Sequence, residues 1–306
     1  MCAGTSPSDP SPAHAPPSVV QRARTEGEAD IAFARTKDGQ TRLAHLYQRA
    51  PLRALFPASA EPGLASAVLV TTTGGLVGGD RLDVRVTAGA GTAVLLTPQA
   101  AEKVYRSLGA DCRMSVDLRA DDGAWLEWLP QETILFEGAR LDRTTRIDCA
   151  ADARVLAGEM LVFGRRARGE RLTRGRIRDA WEVRREGRLV WADVLLAECD
   201  LARVLASTAC LAGAAAVASA VYVTGAGLPG TAGGLNLTDA LSLARDLTSA
   251  AASDMAAAAT CVAGVLVVRW LSRDARALRT AFGRFWAAFR HRIGGRTEVL
   301  PRVWSV

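Results

Sequence analysis

The side chains most able to do chemistry in this 306-residue chain are carboxylates within short, distinctive motifs. Glu127 and Glu132 stand in the segment 126–139, which reads LEWLPQETILFEGA. Paired carboxylates can perform acid–base catalysis or bind a hard or borderline cation. We place Glu127 on the strand face opposite Trp125 and Leu129, so spacing alone favours surface charges. A β-rich hydrolase that uses Glu127 and Glu132 as its carboxylate pair is one alternative.

Nucleophiles and soft metal ligands are widely separated. The chain has no GxSxG elbow and no HExxH motif, and its three histidines (His14, His45 and His291) lie far apart in sequence. None of the six cysteines forms a CxxC pair. These absences argue against hydrolase chemistry and a zinc module, and they predict reduced thiols in a cytoplasmic protein.

Two glycine pairs, Gly74-Gly75 and Gly78-Gly79, lie close together in the sequence TGGLVGGD. Their spacing does not match the GxGxxG or GxxxxGK[ST] phosphate-binding loops. The residues that follow, 81–86, alternate between polar and apolar. This alternation predicts a strand rather than a helix whose N-terminus could hold a phosphate, so the glycines are interpreted as turn residues.

A basic strip runs from Arg165 to Arg188 and holds ten arginines, in a chain of net charge +6. A basic nucleic-acid-binding module is one interpretation of the strip. Aromatic residues that could stack on bases are not regularly interleaved with the arginines. Since arginine also forms fixed bidentate contacts with carboxylates, an acidic protein partner or internal ion pairs are favoured over nucleic acid.

The elements that must position these residues are mostly strands. Period-two alternation recurs over residues 112–118, and shorter strands are predicted over 93–97, 125–129 and 133–136. A hairpin is predicted around Glu186-Gly187. Many short strands with glycine-containing turns indicate a large antiparallel or helical β architecture.

The last third of the chain is predicted to be more helical. Thr238 is expected to cap one helix, and a strand is expected over 262–271. Ser272 is expected to cap a final helix that Gly294-Gly295 would end. Its apolar face should pack on the core, and consists of Leu278, Phe282, Phe285, Trp286 and Phe289.

The predicted domain organisation is simple. Residues 1–24 are rich in Pro, Ser and Ala and are expected to be a disordered tail with no secretory signal, followed by a single domain over 25–306. The stretch 204–238 has no charged residue, but its Ala, Gly and Pro content argues against a membrane span there. No motif in the Ala-rich part of the domain, 205–259, assigns it a role.

Five segments are distinctive when they are taken in order along the chain. They are GGLVGGDRL (74–82), TPQAAEKVYRS (97–107), LEWLPQETILFEGA (126–139), the pair Gly164-Arg165 and Gly169-Glu170, and LPRVW (300–304). Together they resemble the urease accessory protein D family, called H in some organisms. The resemblance covers the chain from about residue 39 to its C-terminus. The chain departs from the family at Pro98, where threonine is usual, and at Glu102, where the usual residue is small or polar.

The resemblance implies a mainly β protein, a large β-helix-like stack of strands with a few α-helices toward the C-terminus. It implies no catalytic turnover, no tightly bound cofactor, and neither a nucleic-acid partner nor a membrane span. The expected partners in the cytoplasm are apo-urease and the accessory F protein, which docks the nickel-carrying G GTPase. A dimer of heterodimers with the F protein is expected, and Ni²⁺ is expected to pass transiently toward urease.

The same resemblance selects candidate residues. A metal in transit needs weak, exchangeable oxygen ligands, because tight ligands would trap it. The candidates for the nickel path are Asp80, Glu127, Glu132, Glu159 and Glu170. The candidates for partner contact or a structural motif are Gly74, Gly75, Gly78, Gly79, Lys103, Tyr105, Arg106 and Arg165.

Overall fold

Alternation of apolar and polar residues produces seventeen strands in the part of the chain that the computed structural model describes, residues 24–59, 61–224, 236–249 and 254–305. The predicted N-terminal tail lies almost entirely outside these residues, as does the middle of the uncharged stretch. In chain order the strands are β1 (Glu26–Arg35), β2 (Thr41–Arg49), β3 (Leu52–Leu55), β4 (Ala65–Thr71), β5 (Arg81–Ala88), β6 (Ala93–Pro98), β7 (Glu102–Val104), β8 (Cys112–Ala120), β9 (Trp125–Trp128), β10 (Glu132–Leu135), β11 (Arg140–Cys149), β12 (Arg154–Phe163), β13 (Arg174–Arg185), β14 (Arg188–Asp200), β15 (Ala216–Thr224), β16 (Met255–Val262) and β17 (Val265–Ser272).

The strands form two facing sheets between which the chain passes repeatedly. The first sheet has the order β14-β13-β11-β8-β5-β1-β2, and the second runs β16-β17-β15-β12-β9-β6-β4-β3. From β4 to β13 all strands except β7 and β10 alternate between the sheets, and neighbours within each sheet are parallel. The short strands β7 and β10 pair with each other beside β12. The result is a β-solenoid of about four turns, which confirms the predicted β-helix-like stack.

Three α-helices occur in the described residues: α1 (Leu201–Ala206), α2 (Leu237–Ser249) and α3 (Ala275–Gly294). Single 3₁₀ turns form at Arg166–Arg168 and Arg302–Trp304. One apolar core fills the space between the two sheets, and a second lies between the outer face of the second sheet and helices α2 and α3. Each strand of the second sheet is therefore covered on both faces where a helix lies over it, which accounts for apolar runs such as that of β6.

The final helix confirms most of its prediction. All five residues of the predicted apolar face are buried in the second core, and Gly295 ends the helix in the left-handed conformation with φ 64°. The cap is Asp274 rather than Ser272, since its carboxylate accepts the N–H groups of Arg276 and Ala277. The Ser272 hydroxyl instead accepts the N–H of Asp274.

The other C-terminal elements shift slightly from their predicted positions. Helix α2 begins two residues earlier than expected, because Asn236 accepts the N–H of Asp239 while Asp239 accepts that of Asn236. The strand expected over 262–271 is β17, which pairs with β16 in a hairpin. The hairpin at Glu186-Gly187 is confirmed, with positive φ at both residues.

The uncharged stretch contributes strand β15 to the centre of the second sheet, between β12 and β17. Its alanines and valines fill both cores, because the strand has one face toward each. Among the described residues, no helix is both long enough and apolar enough to span a membrane.

Candidate functional site between the two sheets

Arg143 and Asp179 form a buried ion pair that faces the space between the sheets. Arg143 on β11 and Asp179 on β13 are direct partners in the parallel register of the first sheet. The guanidinium donates through Nε to Oδ1 at 2.9 Å and through Nη2 to Oδ2 at 2.8 Å. Two parallel bonds of this kind fix the orientation of both side chains.

Glu159 reaches the same guanidinium from the opposite sheet. Its Oε2 lies 2.5 Å from Arg143 Nη1, and its Oε1 accepts the Thr145 hydroxyl at 2.9 Å. Arg143 Nη1 also donates to the Thr133 hydroxyl at 3.0 Å. We call these five buried residues, Arg143, Asp179, Glu159, Thr133 and Thr145, the interior charge cluster. The cluster links β10, β11, β12 and β13, and so ties the two sheets together.

The charges in the cluster do not balance, since two carboxylates surround one guanidinium. Burial raises the pKa of Glu159 to about 7, against the attraction of Arg143 and with a further increase from the negative charge of Asp179. Burial alone would lower the pKa of Arg143, but Asp179 and Glu159 outweigh it and raise that pKa, so the guanidinium stays charged. Glu159 is therefore the member of the cluster that can take a proton near neutral pH.

Glu159 lines two cavities. The first has a volume of about 190 Å³ and extends from Trp128, Arg143 and Glu159 to exposed residues of the loop motifs, including Gly74 and Lys103. Residues from two motifs that were separate in sequence, 73–74 and 98–103, thus line one cavity.

The second cavity, about 380 Å³, begins at Glu159 and Asp179 and extends between β14 and β16. Its wall includes Asp193 and the exposed Cys210. Within the described ranges, no three His, Cys, Asp or Glu side chains group closely enough to hold a metal ion. The interior thus offers carboxylate and hydroxyl oxygens singly or in pairs.

Glu127 lies in a different place from Glu159. It points to the outer face of the second sheet, under α3, where its carboxylate is completely buried. Its oxygens accept the indole N–H groups of Trp125 and Trp286 at 2.7 Å and 2.8 Å, and Arg290 Nε lies 2.9 Å from Oε2. Residues two apart in a strand share a face, so the prediction that Glu127 opposes Trp125 was wrong, as was its interpretation as a surface charge.

Glu132 also meets an arginine of the final helix, since its Oε2 accepts from Arg279 Nη1 at 2.6 Å. Glu127 and Glu132 therefore hold α3 through two separate ion pairs. A glycosidase-type mechanism requires two carboxylates that both face the substrate. Glu127 is enclosed by protein on every side, so the pair does not meet this requirement.

Asp80 closes the glycine-rich turn. Its carboxylate accepts the backbone N–H groups of Thr25 at 3.0 Å and Val77 at 2.9 Å. Strand β5 follows directly, which confirms the strand predicted after the glycines. A Cβ atom at Gly78 would lie 2.5 Å from the carbonyl oxygen of Ala110, which explains why a glycine is required there.

The remaining glycines and the loop residues occupy the surface beside this turn. Gly75 and Gly79 have positive φ, of 145° and 95°. The Tyr105 hydroxyl donates to the carbonyl oxygen of Gly74 at 2.7 Å, which ties the two motifs together. Lys103 and Arg106 are exposed and belong to no ion pair among the described residues.

Five of the ten arginines in the basic strip pair with carboxylates of the chain itself. Arg165 contacts Glu170 at 2.5 Å, and both are partly exposed and lie outside the interior charge cluster. Similar pairs join Arg174 to Glu137, Arg176 to Asp111, Arg178 to Asp142 and Arg184 to Glu182. The interpretation of the strip as internal ion pairs is confirmed for these residues.

Sequence reasoning found Glu159 but missed Arg143, Asp179, Thr133 and Thr145. A usable signal was present in β11, where Leu141, Arg143, Thr145 and Ile147 occupy alternate positions and all prove to be buried. A charged residue is a candidate for a buried ion pair when its neighbours on the same strand face are apolar.

Comparison with known proteins agrees with the architecture and the motifs. Residues 25–305 match the family model described as UreD urease accessory protein. The urease accessory protein UreD of Magnetococcus marinus is 43% identical over 284 residues, covering 92% of this chain and 94% of that protein. UreD 1 of Bradyrhizobium sp. strain ORS 278 is 41% identical, covering 86% of this chain and 99% of that protein. UreD of Methylobacterium sp. strain 4-46 is 40% identical, covering 95% of this chain and 99% of that protein. The chain belongs to the UreD family of urease accessory proteins.

Proposed function

We propose that this chain is a non-catalytic maturation factor that binds apo-urease and the accessory F protein, and through the latter the G GTPase, while Ni²⁺ passes through its interior to urease. Family membership supports a role in urease maturation. The proposal adds to this role the named partners, the transfer of nickel and a cytoplasmic location. The chain itself requires no resident cofactor for this role.

The observation that carries the nickel part of the proposal is that Glu159 lines two cavities. Oxygen ligands bind Ni²⁺ weakly enough for exchange, and carboxylates also offset the charge of a desolvated cation. Glu102 lines the first cavity between the exposed loops and Glu159, and burial raises its pKa. The proposed path therefore runs from the glycine-rich and TPQAAEKVYRS loops past Glu102 and Glu159 to Asp179.

The candidate carboxylates now divide into two groups. Glu159 lines both cavities and remains on the proposed path. The other four carboxylates line neither cavity and hold other parts of the chain: Asp80 binds backbone N–H groups, Glu127 binds Trp and Arg donors, and Glu132 and Glu170 each pair with an arginine. We assign these four to holding the fold rather than to carrying the metal.

Partner contact is proposed for three exposed cations. Lys103 lines the first cavity, Arg106 follows it in the same segment, and Arg165 stacks its guanidinium 4.2 Å from the Phe136 ring centroid. An acidic surface on a partner would complement them. A dimer of heterodimers with the F protein remains part of the proposal.

The proposed function is tested by co-expression with urease subunits and the F and G proteins. A tagged copy of this chain should retain apo-urease and the F protein on a column, and urease from cells lacking the chain should contain little nickel. Full nickel content and activity of urease in those cells would refute the proposal. Binding of the purified chain to DNA or RNA at low salt would instead support a nucleic-acid role.

A further inference from the structure

The interior charge cluster places a positive charge between two carboxylates where the walls of the two cavities share Glu159. Arg143 contacts Asp179 through two hydrogen bonds of 2.8–2.9 Å and Glu159 through one contact of 2.5 Å. Glu159 lines both cavities, whereas Arg143 lines the first and Asp179 the second. A species that moves from one cavity to the other past Glu159 meets the guanidinium.

The groups around Arg143 are also suited to a metal cation. Two carboxylates and the hydroxyls of Thr133 and Thr145 supply oxygen atoms, and all of these side chains are buried. Without Arg143, two carboxylates would face each other across a space with little water. Buried charge of one sign is strongly unfavourable, so a replacement cation would be attracted to this place.

A second observation concerns the donors that surround Glu159. The indole N–H of Trp128 is buried at the wall of the first cavity, which Glu159 also lines. This N–H lies close enough to the Glu159 carboxylate to lower its pKa, although within the described part of the chain the two groups are not aligned as a full hydrogen bond. An incompletely paired buried donor is costly, so a small rotation of the carboxylate that completes this bond would give Glu159 a second donor besides Arg143.

We propose that Glu159 and Asp179, with the hydroxyls of Thr133 and Thr145, form a latent divalent-cation site that the Arg143 guanidinium fills at rest. Arg143 thereby closes the junction between the cavities until a cation displaces it. This gating role rests on the proposed passage of nickel, but the latent site itself does not require urease. It can therefore be tested on the purified chain alone.

The test is equilibrium dialysis of the full-length chain and its variants against Ni²⁺. Arg143→Gln removes the charge and keeps an amide donor for Asp179. It should bind one more Ni²⁺ per chain than the wild type, and the added Ni²⁺ should disappear in Arg143→Gln/Glu159→Gln. Arg178→Gln is the matched control, because Arg178 and Asp142 pair at the adjacent positions of the same two strands, on the outer face. It should bind no additional Ni²⁺.

A folded Arg143→Gln chain that binds no more Ni²⁺ than the wild type would overturn the inference, as would an increase that persists without Glu159. Circular dichroism and a cooperative thermal transition establish folding. If Arg143→Gln does not fold alone, its refolding with and without Ni²⁺ decides, since a metal bound only by the folded chain stabilises it. Ni²⁺ should then restore a cooperative transition to Arg143→Gln but not to Arg143→Gln/Glu159→Gln, and no such restoration would reject the latent site.

Failure of this inference and failure of the proposed function are distinguishable. If urease lacks nickel in cells without the chain but Arg143→Gln gains no Ni²⁺, the proposed function stands and the latent site is rejected. If urease acquires nickel without the chain but Arg143→Gln gains one Ni²⁺, the proposed function is rejected and the latent site stands.

Discussion

The Glu127 carboxylate and the Arg290 guanidinium form a buried ion pair that joins β9 to the final helix, with Nε 2.9 Å from Oε2 and Nη2 3.0 Å from Oε1. The indole N–H groups of Trp125 and Trp286 complete the coordination of the carboxylate. Arg290 also contacts Glu61 at 3.2 Å. The charge of Glu127 therefore serves to anchor α3 over the outer face of the second sheet.

Glu127→Ala should destabilise the chain by about 3–5 kcal/mol, because removal of one partner leaves the buried charge of Arg290 poorly compensated. The free energy of unfolding is measured by urea denaturation. Glu132→Gln is the comparison, since its pair with Arg279 is partly exposed and its loss should cost about 1 kcal/mol. Equal effects of the two substitutions would contradict the assignment of Glu127 as the anchor.

Gly78→Ala should lower the melting temperature, whereas Gly74→Ala should leave it nearly unchanged. A Cβ at Gly78 overlaps Ser107 Oγ and lies 2.5 Å from the carbonyl oxygen of Ala110, but at Gly74 nothing lies within 4 Å. Differential scanning fluorimetry measures both variants. A similar melting temperature for Gly78→Ala and the wild type would show that the turn does not need this close approach.

Stability should depend on pH through Glu159. Its pKa is about 7 in the folded chain, against an ordinary value of 4.5. Because the folded chain binds the proton more tightly, this group contributes stability that is fully present below pH 4.5 and is lost as the pH rises through 7. As the pH rises across that window, the free energy of unfolding of the wild type should fall by up to about 3 kcal/mol relative to that of Glu159→Gln.

The check is the difference in unfolding free energy between the wild type and Glu159→Gln, measured at intervals from about pH 4 to about pH 8. This difference removes the contribution of every other titrating group. A difference that stays constant with pH, or that changes in favour of the wild type as pH rises, would mean that Glu159 keeps an ordinary pKa.

Local patterns predicted much of the fold from sequence. The alternation over 81–86 and 112–118 identified β5 and β8, and the apolar face of α3 was found from its helical spacing. The predicted starts of the helices were less accurate, because neighbouring polar residues compete for the N-cap position. Ser272 and Asp274 are both good caps, and only the structure shows that the serine hydroxyl binds the backbone of Asp274 instead.

The candidate site was harder to predict, since it depends on contacts between distant residues. Arg143 meets Asp179 only because β11 and β13 pair in one register, and Glu159 joins them from the facing sheet. Local periodicity contains no information on such pairing. The error at Glu127 was different, because the alternation of the strand already placed it on the same face as Trp125.

The nickel content of urease matured with a Glu159→Gln chain tests the central claim most directly. Asp142→Asn serves as the control, because Asp142 lies on β11 beside Arg143 but on the outer face of the sheet. Both variant chains should co-purify with apo-urease and the F protein in wild-type amounts. Only urease from the Glu159→Gln cells should contain several-fold less nickel per active site. A wild-type nickel content in that urease would contradict passage of the metal past Glu159.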